Sequence, residues 1–123
     1  MGIVYKARQV SLNRNVALKV LLSGEHANEE QIILFKREAE SAVSLSHPNI
    51  VIILDVGQFD EQYYIAMEYI DGIDLNTVCQ GKVKLDIQQI LHILMAIADA
   101  LHFAHKKGVV HRDVKPANVL LDK

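Results

Sequence analysis

The stretch His111-Arg112-Asp113-Val114-Lys115-Pro116-Ala117-Asn118-Val119-Leu120-Leu121 gathers a carboxylate, an amide and three basic side chains, then turns apolar. Read without context it is a polar surface loop that follows a helix. The helix before it is the clearest in the chain. Asp86 stands where an N-cap belongs, with Gln89 in the capping-box position. Ile90, Ile93, Leu94, Ile97, Leu101 and Ala104 recur at helical spacing and make one continuous apolar face. Lys106 and Lys107 complement the negative end, and Gly108 stops it. The pattern predicts a helix over 87–107 that delivers the chain into the loop.

Further upstream, Asp71-Gly72 reads as a linker, with a short helix beginning near Asp74. Before it the chain is richer in strands. Residues 3–8 and 15–22 are β-branched and apolar, and Ser11-Leu12-Asn13-Arg14 between them is turn-like, which predicts an antiparallel hairpin. A helix is expected from about 29 to 45, with Asn28 as N-cap and Gln31 in the capping box. Its apolar positions are Ile32, Phe35, Ala39 and Ala42, and Pro48 prevents continuation. Strands are expected over 50–57 and 63–69, joined at Asp60-Glu61-Gln62. The order gives an α+β chain: a small sheet-rich lobe over 1–70, then the start of a helical lobe over 71–123.

Composition excludes more than it identifies. The length of 123 residues allows one small domain. A net charge of −2 leaves no basic footprint, so nucleic acid is not an expected partner. Cys79 is the single cysteine, which rules out an internal disulfide and a cysteine-based zinc site, and a cytoplasmic setting is expected. His102 and His105 sit three apart without an acidic partner that would complete a metalloprotease pattern. The apolar run from Ile50 to Leu54 breaks at Asp55, and the N-terminus carries no apolar signal region. No membrane span is therefore expected. Met1-Gly2 invites myristoylation, but Lys6 stands where that motif needs Ser or Thr.

The loop at 111–121 resembles the catalytic loop of protein kinases, whose pattern is His-Arg-Asp, an apolar residue, and Asn five positions after Asp. The resemblance implies that Asp113 is the base for the substrate hydroxyl and that Asn118 ligates magnesium. Lys115 matches the serine/threonine form of the loop, where it contacts the transferring phosphate. Val16-Ala17-Leu18-Lys19 is similar to the family's Val-Ala-Ile-Lys strand, which makes Lys19 the ligand of the ATP α- and β-phosphates. Glu38, within Lys36-Arg37-Glu38-Ala39, looks like its glutamate partner. His47-Pro48-Asn49-Ile50-Val51 resembles the segment leading from the family's helix to its fourth strand. Met67-Glu68-Tyr69-Ile70 resembles the gatekeeper and hinge. There the backbone of Glu68 and Ile70 would hydrogen-bond adenine and Met67 would line the back of the pocket. Val4 and Ala17 would cover the base from above and Leu120 from below.

The chain is thus identified as the first half of a eukaryotic-type serine/threonine kinase catalytic domain of bacterial kind. ATP, Mg2+ and a protein with a serine or threonine acceptor are the implied cofactors and substrate. Gly2 and Val4 fit the third glycine of the phosphate-covering loop and the valine after it. Bacterial members often carry Met before that glycine, so Met1 reads as an internal residue of a longer frame. The Asp-Phe-Gly metal segment lies beyond Asp122-Lys123, and Asp113 cannot replace it because its role is to receive a proton. These residues alone are therefore expected to transfer no phosphate, and the apolar stripe of the last helix is expected to promote association. The alternative is a non-catalytic nucleotide-binding or pseudokinase-like interaction module. Retention of Lys19, Glu38, Asp113 and Asn118 together weighs against it.

Overall fold

The computed structural model describes residues 2–21, 29–60, 62–111 and 114–122. Although its length suits a single small domain, the chain divides into two compact units. The first holds residues 1–46 and 50–69, the second 47–49 and 70–123.

In the first unit, β1 (Gly2–Gln9) and β2 (Arg14–Leu21) form the expected antiparallel hairpin. A short 3-10 turn over Val10–Leu12 joins them, and Asn13 closes it at φ 48°, a left-handed conformation that asparagine tolerates. β3 (Ile53–Phe59) and β4 (Gln62–Glu68) complete a four-stranded sheet in the order β1-β2-β4-β3. Helix α1 (Glu29–Val43) packs on one face of it. Directly opposed residues of a ladder share a face, and alternate residues along a strand do so too. The pairs Val4–Lys19, Lys19–Ile65, Lys6–Ala17 and Ala17–Met67 therefore align these side chains on a single face. That is the face α1 covers: Phe35 and Ala39 are buried against Leu21 and Ile65, with Ile32, Ile53, Tyr63 and Met67 around them.

Three boundaries differ from the sequence expectation. The Asn28 cap and its Gln31 partnership lie outside the described residues. Helix α1 stops at Val43 rather than continuing to 45, because Leu45 donates its N–H three residues back to the Ala42 carbonyl. Residues 50–52 are not strand. Ile52 alone reaches β4: its N–H donates to the Glu68 carboxylate and its carbonyl accepts from the Glu68 N–H, and a register shift lies between Ile53 and Asp55.

In the second unit, α3 (Ile87–Lys106) carries the anticipated capping box. Asp86 accepts from the Gln89 N–H at 2.8 Å, and Gln89 accepts from the Asp86 N–H at 2.9 Å. Gly108 follows the C-terminal end at φ +81°, a left-handed conformation natural to glycine. Of the apolar face, Ala104 is buried and Ile93, Ile97 and Leu101 are half-buried, while Ile90 and Leu94 are exposed. By length and composition alone α3 is long and apolar enough to cross a membrane, a test that the core helix of a soluble protein also meets. Near its C-terminal end it holds His47. The ring nitrogen Nδ1 accepts from the Asn49 N–H, so Nε2 carries the hydrogen and donates to Asp99 at 3.0 Å. The ring also packs against Phe103, with 5.1 Å between centroids.

The linker expected at Asp71-Gly72 is instead the start of a strand. β5 (Gly72–Asp74) pairs antiparallel with β6 (Leu120–Asp122). Asp74 then caps α2 (Leu75–Cys79), accepting from both the N–H and the hydroxyl of Thr77.

Candidate active site

Lys19 owes its position to strand parity. It stands on the helix-covered face of β2, between Ala17 and the buried Leu21. On α1, Glu38 directly precedes the buried Ala39 and lies one turn beyond the buried Phe35. Packing of those two residues sets Glu38 at the rim of the core, where its Oε1 lies 3.0 Å from Lys19 Nζ. The lysine side chain is 27% exposed and the glutamate 63%. An ammonium held by one carboxylate at a rim open to solvent can present its remaining hydrogens to an anion.

Outward along the same face lie Ala17, half-buried, and Val4, 57% exposed, with Met67 half-buried on β4. They form an apolar surface beside the lysine. Met67 also borders the core cluster, so it links that surface to the packing beneath. Glu68 follows at the end of β4. Its N–H is committed to the Ile52 carbonyl and its carboxylate to the Ile52 N–H, so its main-chain carbonyl is the group suited to accept from a purine amino group. Ile70 opens the second unit's longer segment.

In that unit, Lys115 precedes a 3-10 turn over Pro116–Asn118, closed by the Asn118 N–H on the Lys115 carbonyl at 2.9 Å. The turn leads straight into β6, and the Leu75 N–H donates to the Val119 carbonyl at 2.8 Å. Asn118 and Leu120 therefore belong to a segment clipped to β5 and α2, with Leu120 47% exposed. Asp113, expected to be the base, lies outside the described residues, as does Arg112. Gly2 is the first residue of β1, opposite Leu21. Among the described residues no group of three or more His, Cys, Asp and Glu side chains is placed to hold a metal. Two shallow hollows lie along α3 near Leu91 and Met95 and along α1 near Ile33 and Leu34.

Sequence reasoning missed the parts that fasten this site. The paired hydrogen bonds of Ile52 and Glu68, the His47–Asp99 contact and the β5–β6 ladder each join residues far apart in sequence. Gly72 was a usable signal: a Cβ there would lie 1.9 Å from the Leu121 carbonyl oxygen, so the close strand pairing admits only glycine.

The model of the protein kinase domain matches residues 1–123. The chain belongs to the protein kinase family. Serine/threonine kinases are among its curated relatives. A probable serine/threonine kinase of Clostridium perfringens is 46% identical over 121 residues, which cover 98% of this chain and 18% of that protein. PrkC of Bacillus subtilis is 44% identical over 123 residues, covering 99% of this chain and 19% of PrkC. The crystal structure of the Mycobacterium tuberculosis PknI kinase domain superposes with a TM-score of 0.80 at 42% identity. It covers 99% of this chain and 50% of that one. The chain thus has the α+β kinase-like fold, and it spans about half of the solved kinase domain and about a fifth of these curated relatives.

Proposed function

We propose that this chain forms the nucleotide-binding and catalytic-loop part of a serine/threonine protein kinase, which transfers the γ-phosphoryl group of ATP to a hydroxyl of a protein substrate. The 3.0 Å pair between Lys19 and Glu38 carries this reading, because it joins two elements at the point where the family binds phosphate. Glu38 keeps the ammonium oriented toward the α- and β-phosphates. The adenine rests on Val4, Ala17 and Met67; its amino group donates to the Glu68 carbonyl, and the Ile70 N–H donates to its ring nitrogen. Leu120 is the residue to which the family resemblance gives the other apolar face of the base. Asp113 takes the proton from the attacking hydroxyl, and Lys115 meets the charge on the transferring group.

Asn118 suits magnesium in kind: its amide oxygen is a hard, neutral donor, and that ion is commonly held by one or two protein oxygens together with substrate phosphates. When bound, the metal neutralises charge on the β- and γ-phosphates. A cytoplasmic setting fits a reaction that consumes ATP and a chain whose single cysteine is unpaired.

The test is phosphoryl transfer from labelled ATP to a protein acceptor by the intact protein. Lys19→Met and Asp113→Asn are each expected to lower kcat/KM by about 100-fold or more. Wild-type rates in either variant would sink the assignment. Tight ATP binding with no transfer by the wild-type protein would favour the non-catalytic module. The 123-residue polypeptide by itself is expected to transfer no phosphate.

A further inference from the structure

We propose that Lys6 and Tyr69 form a clamp that pre-sets the backbone used to recognise adenine, which makes Lys6 a positioning residue of the nucleotide site. The inference rests on the nucleotide reading above. Lys6 pairs with Ala17 across the β1–β2 ladder, and Ala17 pairs with Met67, so Lys6 extends over the same face as Val4, Ala17 and Met67. Its side chain crosses β2 on that face and sets Nζ 4.6 Å from the centroid of the Tyr69 ring. This is cation–π geometry, in which the ammonium sits over the electron-rich face of the ring. β1 and β4 are not neighbours in the sheet, so the contact ties the hairpin to the chain that leaves β4.

Tyr69 stands between Glu68 and Ile70, the two residues whose main chain would meet the purine edge. On the strand side Glu68 is already fixed by its two hydrogen bonds with Ile52. The ring of Tyr69, half-buried and held by Lys6, fixes the next residue. A recognition backbone immobilised before the ligand arrives loses less freedom on binding. The clamp acts at the purine end, whereas Lys19 acts at the phosphate end. That separation makes the two roles distinguishable.

The experiment is calorimetric titration of the full chain with adenosine and, separately, with ATP, with melting midpoints measured in parallel. Lys6→Met is expected to weaken both ligands by the same factor, about two- to five-fold, the change that corresponds to roughly 0.5–1 kcal/mol of cation–π energy at an exposed site. Tyr69→Leu should do the same. Lys6→Arg and Tyr69→Phe, which keep the cation and the ring, should bind as the wild type does. Lys19→Met should weaken ATP and leave adenosine unchanged.

Unchanged adenosine affinity in Lys6→Met, with the Lys19→Met effect intact, overturns the clamp and leaves the nucleotide reading standing. A loss confined to ATP overturns it as well, because Lys6 would then act on phosphate charge. So does an equal loss of affinity in Lys6→Arg and Tyr69→Phe, which keep the cation and the ring and would then show that the cation–π contact is not what positions the backbone. Failure of the wild-type chain to bind either ligand removes the nucleotide reading and the clamp with it.

Discussion

Lys19 and Glu38 meet because packing brings them together, and their mutual attraction adds little to stability. With the glutamate 63% exposed, a pair of this kind contributes about 0–1 kcal/mol. Glu38→Gln should therefore shift the melting midpoint by less than about 4 °C. The same change should lower kcat/KM of the intact protein by about 10- to 100-fold, since the lysine loses its orienting partner. A large melting shift with normal kinetics would contradict this division of roles. A second residue prediction concerns Tyr64, whose hydroxyl donates to Asp55 at 3.3 Å. Burial, then the Asp55 charge and that hydrogen bond, raise its pKa above the ordinary tyrosine value. A raised folded-state pKa contributes stability in full below the unfolded value, near about 10, and loses it as pH rises through the folded one. The melting midpoint of the wild type should fall more steeply above about pH 10 than that of Tyr64→Phe. Parallel curves would remove Tyr64 as the cause.

Among the elements, α3 was readable in full because its signals are local: a capping box, an apolar repeat and a glycine stop all lie within the helix or one residue of it. β5 and β6 were not, because three-residue strands are too short to show alternation and their partners are distant. The same reason hid the true start of β3. Ile50-Val51-Ile52 has strand composition, but only Ile52 finds a partner on β4. The β5–β6 ladder also makes a sharp prediction. Gly72→Ala would drive a Cβ into the Leu121 carbonyl, a backbone atom with little room to yield. Overpacking of this kind costs about 1–3 kcal/mol. The variant should lose amide-exchange protection at Ile73 and Leu121 before it loses any in α1. Unchanged protection there would mean that the strands can part without cost.

At the scale of the whole molecule, the family was legible and its fastenings were not. Val16-Ala17-Leu18-Lys19 and the 111–121 loop carry the resemblance to protein kinases, the family whose model matches residues 1–123. Fastenings such as His47 on Asp99, or Lys6 over Tyr69, are properties of the folded chain and carry no local pattern. Among the described residues each unit is lightly packed: the first centres on Leu21, Phe35, Ala39 and Ile65, and in the second Ala100 and Ala104 are the buried apolar residues. Ile87, Leu91, Leu94 and Met95 of α3 are exposed by 48% or more. The 123-residue polypeptide should therefore self-associate, and Leu91→Glu with Leu94→Glu should reduce that association in sedimentation velocity. Association unaffected by the pair would place the contact elsewhere. The β5–β6 pairing has one more implication, for how the protein is made. Gly72 leaves the ribosome early, yet its partner Asp122 emerges roughly 50 residues later, a separation whose closure entropy must be met before the ladder forms. Throughout that interval of translation the segment around Gly72 has no strand to join, so the β5–β6 ladder can form only once residues 120–122 have been synthesised.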